Sequence, residues 1–291
     1  MLSSRFSQPA AELIQKRFSC RVYQRRSLDA QKQQRITDII SSLSATPFNS
    51  HIRMKLLASS EQDHHNLRGL GTYGFIKNPP AFIAGAVRKS VKDMEDFGYL
   101  MELTVLHMTD LGLGTCWLGG SFTYSSFAKR IELADDELLP AVIAVGYISE
   151  EHYPPADWVR QLTNARNRHN WEYLFFDSSF TQPLSKEKAE RYAIPLEMVR
   201  LAPSASNKQP WCVLRTDTGW HFYLQRTPGY GKGLASLVVH GDLQRIDMGI
   251  AMCHFAVTAQ DLGLTGHWQI NPPKLPVWTG QPEYIASWVE E

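Results

Sequence analysis

Polar and apolar positions along this chain follow two periods, and the same order of periods occurs twice. In SLDAQKQQRITDIISSL (27–43) apolar residues recur at helical spacing, and the polar stretch SATPFNS follows. Short strand-like runs come next, MKLLAS and AFIAGAV. A long apolar segment unbroken by proline leads into DLGLGTCW, and AVIAVGYIS (141–149) reads as a strand whose Ala and Gly admit close neighbours. The second series opens with LSKEKAERYAIPLEMVRL (184–201), read as a helix, and continues with APSASNKQPW (202–211). The strand runs CVLRT and HFYLQR, a second long apolar segment and EYIASWVE (283–290) complete it. Each series predicts an α+β unit in which helices cover a strand set. They meet near 150–182, a charged segment carrying Pro154 and Pro155, so the predicted halves are 1–160 and 161–291.

The two long segments align without gaps. DFGYLMELTVLHMTDLGLGTCW (96–117) matches DMGIAMCHFAVTAQDLGLTGHW (247–268) at an offset of 247 − 96 = 151. Eight of the 22 positions are identical: Asp96/Asp247, Gly98/Gly249, Met101/Met252, Asp110/Asp261, Leu111/Leu262, Gly112/Gly263, Leu113/Leu264 and Trp117/Trp268. Helices apolar on all sides are buried on most sides. Gly112 and Gly263 can end them in the left-handed conformation. Core helices resemble one another by composition alone, yet a gapless match through DLGL favours duplication. The expected molecule is a pseudo-dimer within one monomeric chain, its halves sharing a helical core.

Each half keeps one polar motif and lacks the other. Gly119 and Gly120 follow the first repeat, where glycine can bring an open backbone N–H against a flat ligand. A plain tight turn is an equal alternative. The second repeat runs on into Gln269 and Ile270, with no glycine pair. Conversely, APSASNKQPW is dense in hydroxyl and amide groups able to bond a polar heterocycle, although Asx and Ser turns use the same residues. ATPFNSHIR, in the corresponding place of half one, is poor in them.

Composition narrows the function classes. Thirty basic and 29 acidic residues leave a net charge of +1, which favours neither nucleic acid nor a membrane surface. Hydrophobic residues make up 43 %, enough for a full core. Cys20, Cys116, Cys212 and Cys253 lie far apart without a CxxC pair, against a disulfide framework or a zinc site. DHHN (63–66) and Cys253–His254 lack metal-ligand spacing, TPGYGKG (227–233) lacks a phosphate-loop pattern, and no GxSxG points to a hydrolase. No apolar run nears the roughly 20 residues that span a bilayer, which predicts a soluble, cytoplasmic protein.

Three motifs together resemble the FMN-dependent nitroreductase family over nearly the whole length, in a form that joins two family-type halves. KRFSCR (16–21) is similar to the family's Arg-x-Ser-x-Arg/Lys, with Phe18 where a second Arg stands. APSASNKQPW is similar to Pro-Ser-x-x-Asn-x-Gln-Pro-Trp, and GLGTCWLGG with AVIAVGY to its later part. The resemblance implies a flavin at the interface of two units. Arg17 and Ser19 would hold the FMN phosphate, Arg21 would lie at the pyrimidine edge, and Leu118, Gly119 and Gly120 would present a backbone N–H to N5. NARNRHNWEYLF (164–175) would close the phosphate site with Arg166 and Arg168. Pro203, Ser204, Ala205 and Asn207 would reach over from the other half. The implied activity passes a hydride from NAD(P)H through FMN to nitroaromatics, quinones or similar acceptors by a ping-pong scheme. A non-catalytic flavin-binding or flavin-sensing protein is the alternative. Because half two lacks both Arg-x-Ser-x-Arg and the glycine pair, a single FMN per chain is expected.

Overall fold

The computed structural model describes residues 6–59, 67, 70–151, 153–164, 167–230, 240–275 and 280–291. Arg166, DHHN (63–66) and Gly231–Gly233 of TPGYGKG lie outside the described residues. The first half runs α1 (Ala10–Lys16), α2 (Ala30–Ser42), β1 (Ile52–Ala58), β2 (Ala81–Arg88), α3 (Asp93–Asp110), β3 (Gly114–Leu118), α4 (Tyr124–Arg130), β4 (Glu137–Leu138), β5 (Val142–Gly146) and α5 (Pro154–Leu162). The second runs β6 (Phe175–Asp177), β7 (Ser179–Pro183), α6 (Lys186–Ala189), α7 (Ala193–Leu201), β8 (Trp211–Thr216), β9 (Gly219–Leu224), α8 (Leu243–Asp261), β10 (Gly266–Gln269) and β11 (Glu283–Glu290).

Local chemistry explains most boundaries. Asp29 caps α2 by accepting from the Lys32 N–H at 2.8 Å, and the helix buries Ile36, Ile39 and Ile40 at the spacing seen in the sequence. Asp242 caps α8 in the same way through Gln244 and Arg245. Both repeat helices stop at their glycine: Gly112 has φ +73° and Gly263 φ +72°.

Three predicted boundaries differ. The 184–201 helix is broken into α6, a 3-10 turn and α7, with Glu190 at φ +51°. Pro195 explains the break, since its ring clashes with the carbonyl four residues back and removes a helical N–H. The connection carrying Pro154 and Pro155 is itself helical over α5, with the prolines in the first turn, where their missing N–H groups cost nothing. Trp117, the last residue of the first repeat, lies inside β3, so Gly119 and Gly120 follow a strand and not a helix end.

The two halves share one plan. Sheet one has the order β1-β2-β5-β3, with β4 beside β2; sheet two contains β8-β9-β11-β10, extended past β8 by β6 and β7. Every neighbouring pair in the two four-strand sets is antiparallel. Thus α2-β1-β2-α3-β3-β5 and α7-β8-β9-α8-β10-β11 have the same element order and the same strand order.

Helices α3 and α8 pack directly on each other between the sheets, almost wholly buried. A Cβ on Gly98 would lie 2.1 Å from the Ile246 carbonyl oxygen, and one on Gly249 would lie 1.9 Å from the Glu95 carbonyl oxygen. Position 98 plus 151 is 249, and 95 plus 151 is 246, so each contact is the other with its halves exchanged. That reciprocity is the mark of a two-fold relation. The paired residues Asp110 and Asp261 both grip the N-terminal segment, at Ser7 N–H (2.8 Å) and Ala10 N–H (2.5 Å).

Candidate functional site

Residues after α1 run along the edge of sheet one. Ser19 bridges Thr115 of β3, and the Cys20 N–H donates to the Thr115 carbonyl at 2.8 Å. This sets Arg17, Ser19 and Arg21 beside the strand that ends at Leu118. Burial pushes the Cys116 thiol up, and the charges of Arg21, Arg17 and Arg160 oppose that shift. Arg160, on α5, is a cation that the motif reading did not include.

Arg17 is nearly buried, its side chain 6 % exposed. Burial pushes its guanidinium down, while Glu102 of α3 pulls it up. The Arg17 Nε stands 3.9 Å from Glu102 Oε1 and has no hydrogen-bond partner among the described residues. Arg168 reaches the same place from the segment after α5, donating to Asn207 Oδ1 at 3.0 Å and to the Leu201 carbonyl at 3.3 Å. Burial first, then the positive charges of Arg17 and Arg200, push Arg168 down to about 10. Glu197 holds Arg200 at 3.0 Å. Cations gathered at the C-terminal end of α7 also complement its dipole.

The APSASN loop is a clasp for this segment. Pro203 follows the Ala202 cap and stops α7. Ser206, Asn207 and Gln209 all have positive φ (51°, 55° and 49°), a run held by local bonds. Asn207 N–H donates to the Ser204 carbonyl at 2.9 Å, and Gln209 N–H donates to Ser204 Oγ at 2.8 Å. The Asn207 amide donates to the carbonyls of Asn164 (2.8 Å) and Asn167 (2.9 Å), while His169 N–H donates to Gln209 Oε1 at 2.8 Å. The loop's amides therefore bind the stretch that carries Arg168.

A repeat residue anchors the loop in each half. The Asp247 carboxylate accepts from Ala205 N–H at 2.9 Å. Its counterpart Asp96 accepts from Thr46 Oγ1 (3.0 Å), Phe48 N–H (3.0 Å) and Ser50 N–H (2.9 Å), all in ATPFNS. Sequence reading missed both anchors, although an identical Asp inside two apolar helices was a visible signal.

Leu118 is buried at the end of β3. A Cβ on Gly119 would lie 2.8 Å from the Leu243 side chain at the start of α8. Packing against the other half is thus one reason for glycine here. Among the described residues no helix is long and apolar enough to cross a membrane.

Comparison with known proteins follows the same lines. A family model described as "Putative TM nitroreductase" matches residues 10–259. A nitroreductase structure from Thermotoga maritima is 18 % identical, with a TM-score of 0.61, covering 98 % of this chain and 95 % of that one. A nitroreductase with bound FMN from Desulfitobacterium hafniense is 15 % identical (TM-score 0.41), covering 52 % of this chain and 93 % of that one. A nitroreductase family protein from Clostridium difficile is 22 % identical (TM-score 0.40), covering 50 % and 87 %. No curated protein matches the sequence. With 250 of its residues, 10–259, under the family model and the fold shared end to end with the Thermotoga protein, the chain belongs to the nitroreductase family.

Proposed function

We propose that the chain is a cytoplasmic FMN-dependent oxidoreductase made of two fused nitroreductase-like halves, 1–160 and 161–291, holding one flavin between them. The repeated element order and the reciprocal contacts of Gly98 and Gly249 support the fusion. One observation carries the cofactor reading. Arg17 and Arg168 lie within electrostatic reach of each other in a mostly buried setting, with the Arg17 Nε unbonded. Such a pair calls for an anion able to accept several charge-assisted bonds, and a phosphate monoester fits that donor set.

In this reading Arg17, Ser19 and Arg168 bind and orient the phosphate, with Arg166 adding charge. Arg21 places a cation where electron density builds on reduction. Leu118, Gly119 and Gly120 offer backbone N–H groups along the ring. Pro203, Ser204, Ala205 and Asn207 close the site from the second half, and the Asn207 clasp keeps Arg168 in place. Bound FMN supplies hydride acceptance and donation, while the protein supplies placement and charge. NAD(P)H and the electron-poor acceptor, a nitroaromatic or quinone, use one open face in turn, which gives ping-pong kinetics. Stopped-flow mixing with NADH or NADPH tests this reading, the account expecting rapid bleaching of the flavin band and its return with acceptor. A flavin that stays oxidised supports the non-catalytic alternative.

A further inference from the structure

A buried polar cluster lies behind Arg17 that flavin contact alone does not require. The Trp117 indole N–H donates to Glu102 Oε2 at 2.8 Å, and Glu102 Oε1 lies 2.9 Å from Nε2 of His254 on α8. The other imidazole nitrogen, Nδ1, lies 2.9 Å from the Met198 carbonyl oxygen on α7. Glu102 and His254 are both fully buried. Glu102 thus makes close bonds to His254 and Trp117, and Arg17 stands off at 3.9 Å.

The proton count follows from donors and acceptors. A carbonyl only accepts, so Nδ1 carries a proton. The contact between Nε2 and the carboxylate needs a second proton, shared by the two side chains. Whichever atom holds it, His254 and Glu102 are together neutral. A buried Glu102 without that partner would draw in the nearest cation, Arg17, and cancel its charge.

We propose that His254 is a positioning residue for Arg17: by occupying the Glu102 carboxylate, it keeps the Arg17 guanidinium from closing onto Glu102 and leaves it available to the phosphate of the flavin. This rests on the FMN reading given above. The other half offers an internal control. The repeat maps Glu102 onto Cys253 and His254 onto Leu103, so the charged pair becomes two buried apolar residues. Trp268, the counterpart of Trp117, has no hydrogen-bond partner for its indole N–H among the described residues. The polar pair exists only beneath the half that carries Arg-x-Ser-x-Arg.

The test is titration of apo-protein with FMN and with riboflavin, which lacks the phosphate, followed by flavin fluorescence. His254→Gln keeps hydrogen bonding but cannot neutralise Glu102. It should weaken FMN about tenfold or more while changing riboflavin less than about twofold. Glu102→Gln removes the competing anion and should keep FMN affinity within about twofold of the parent. The double variant Glu102→Gln/His254→Gln should recover FMN affinity relative to His254→Gln alone, and the two variants carrying Glu102→Gln keep the test alive if His254→Gln does not fold. Equal weakening of both ligands by His254→Gln, or loss of FMN binding in Glu102→Gln, would overturn the positioning role. A parent protein with no preference for FMN over riboflavin would overturn the phosphate role of Arg17 itself, and this inference with it.

Discussion

The two halves share a skeleton and differ in chemistry. Helices α3 and α8 carry the same Asp, Gly and DLGL at equivalent positions, and each anchors the loop ahead of its first strand through that Asp. The backbone frame therefore needs the identical residues. The differences cluster on one side: Glu102 against Cys253, Gly119 against Ile270, KRFSCR with no equivalent, and a polar clasp only in half two. Asp96 is bonded three times by ATPFNS, whereas among the described residues Asp247 is bonded once and its Oδ2 has no partner. The half-one loop is held on Asp96, and the half-two loop spends its amides on the segment carrying Arg168. The shared residues hold the frame, and the differing ones lie around the cleft proposed to hold the flavin.

Substitution at the shared glycines tests the frame most severely. Gly98→Ala and Gly249→Ala should each cost more than about 4 kcal/mol or abolish folding, because the added carbon meets rigid helix backbone. Denaturant titration should find both costs large, and tolerance at one position alone would contradict the symmetric crossing. Asp96→Ala should be milder, about 2–4 kcal/mol through its stranded donors, with Asp247→Ala costing about 1–2 kcal/mol because it strands one. The reverse order in a urea melt would show that the two loops are not equivalent.

A pH series tests the Asp247 anchor further, since burial raises both carboxyls and raises Asp247 the more. Burial raises the Asp247 carboxyl well above its usual range, the Ala205 N–H offsetting part of this. A carboxyl raised on folding adds stability that is fully present below its unfolded value of 3.8 and is lost as pH rises toward the folded value. Asp247→Asn should therefore flatten part of the fall in stability above that pH, and an unchanged profile would refute the buried acid. The smallest effect belongs to Gly119→Ala. The methyl meets only the movable end of Leu243, so the stability cost should stay below about 1 kcal/mol. A larger loss by thermal melt would mean the backbone there is fixed by more than packing.

Much of this was legible in the sequence because it was local or repeated. The period of 27–43 located α2, and the glycines of DLGL located both helix ends. APSASNKQPW announced a polar loop. What escaped notice depends on pairing over long separations. Glu102 and His254 are 152 positions apart and each sits in an apolar helix, where one polar residue gives no periodic signal. The fit of Gly119 against Leu243 likewise exists only once the halves meet. Arg166 lies outside the described residues, so its expected place beside Arg168 stays a proposal. Ser204 and Asn207 are expected ligand contacts, and in the structure Ser204 bonds within its own loop while the Asn207 amide bonds the segment carrying Arg168.

The account turns on one occupied cleft. Flavin released by denaturation and quantified against protein measures it directly. About one FMN per chain is predicted, because the second half has no Arg-x-Ser-x-Arg to offset a desolvated phosphate. A ratio near two, or flavin that survives loss of Arg17 undiminished, would contradict the division of labour between the halves.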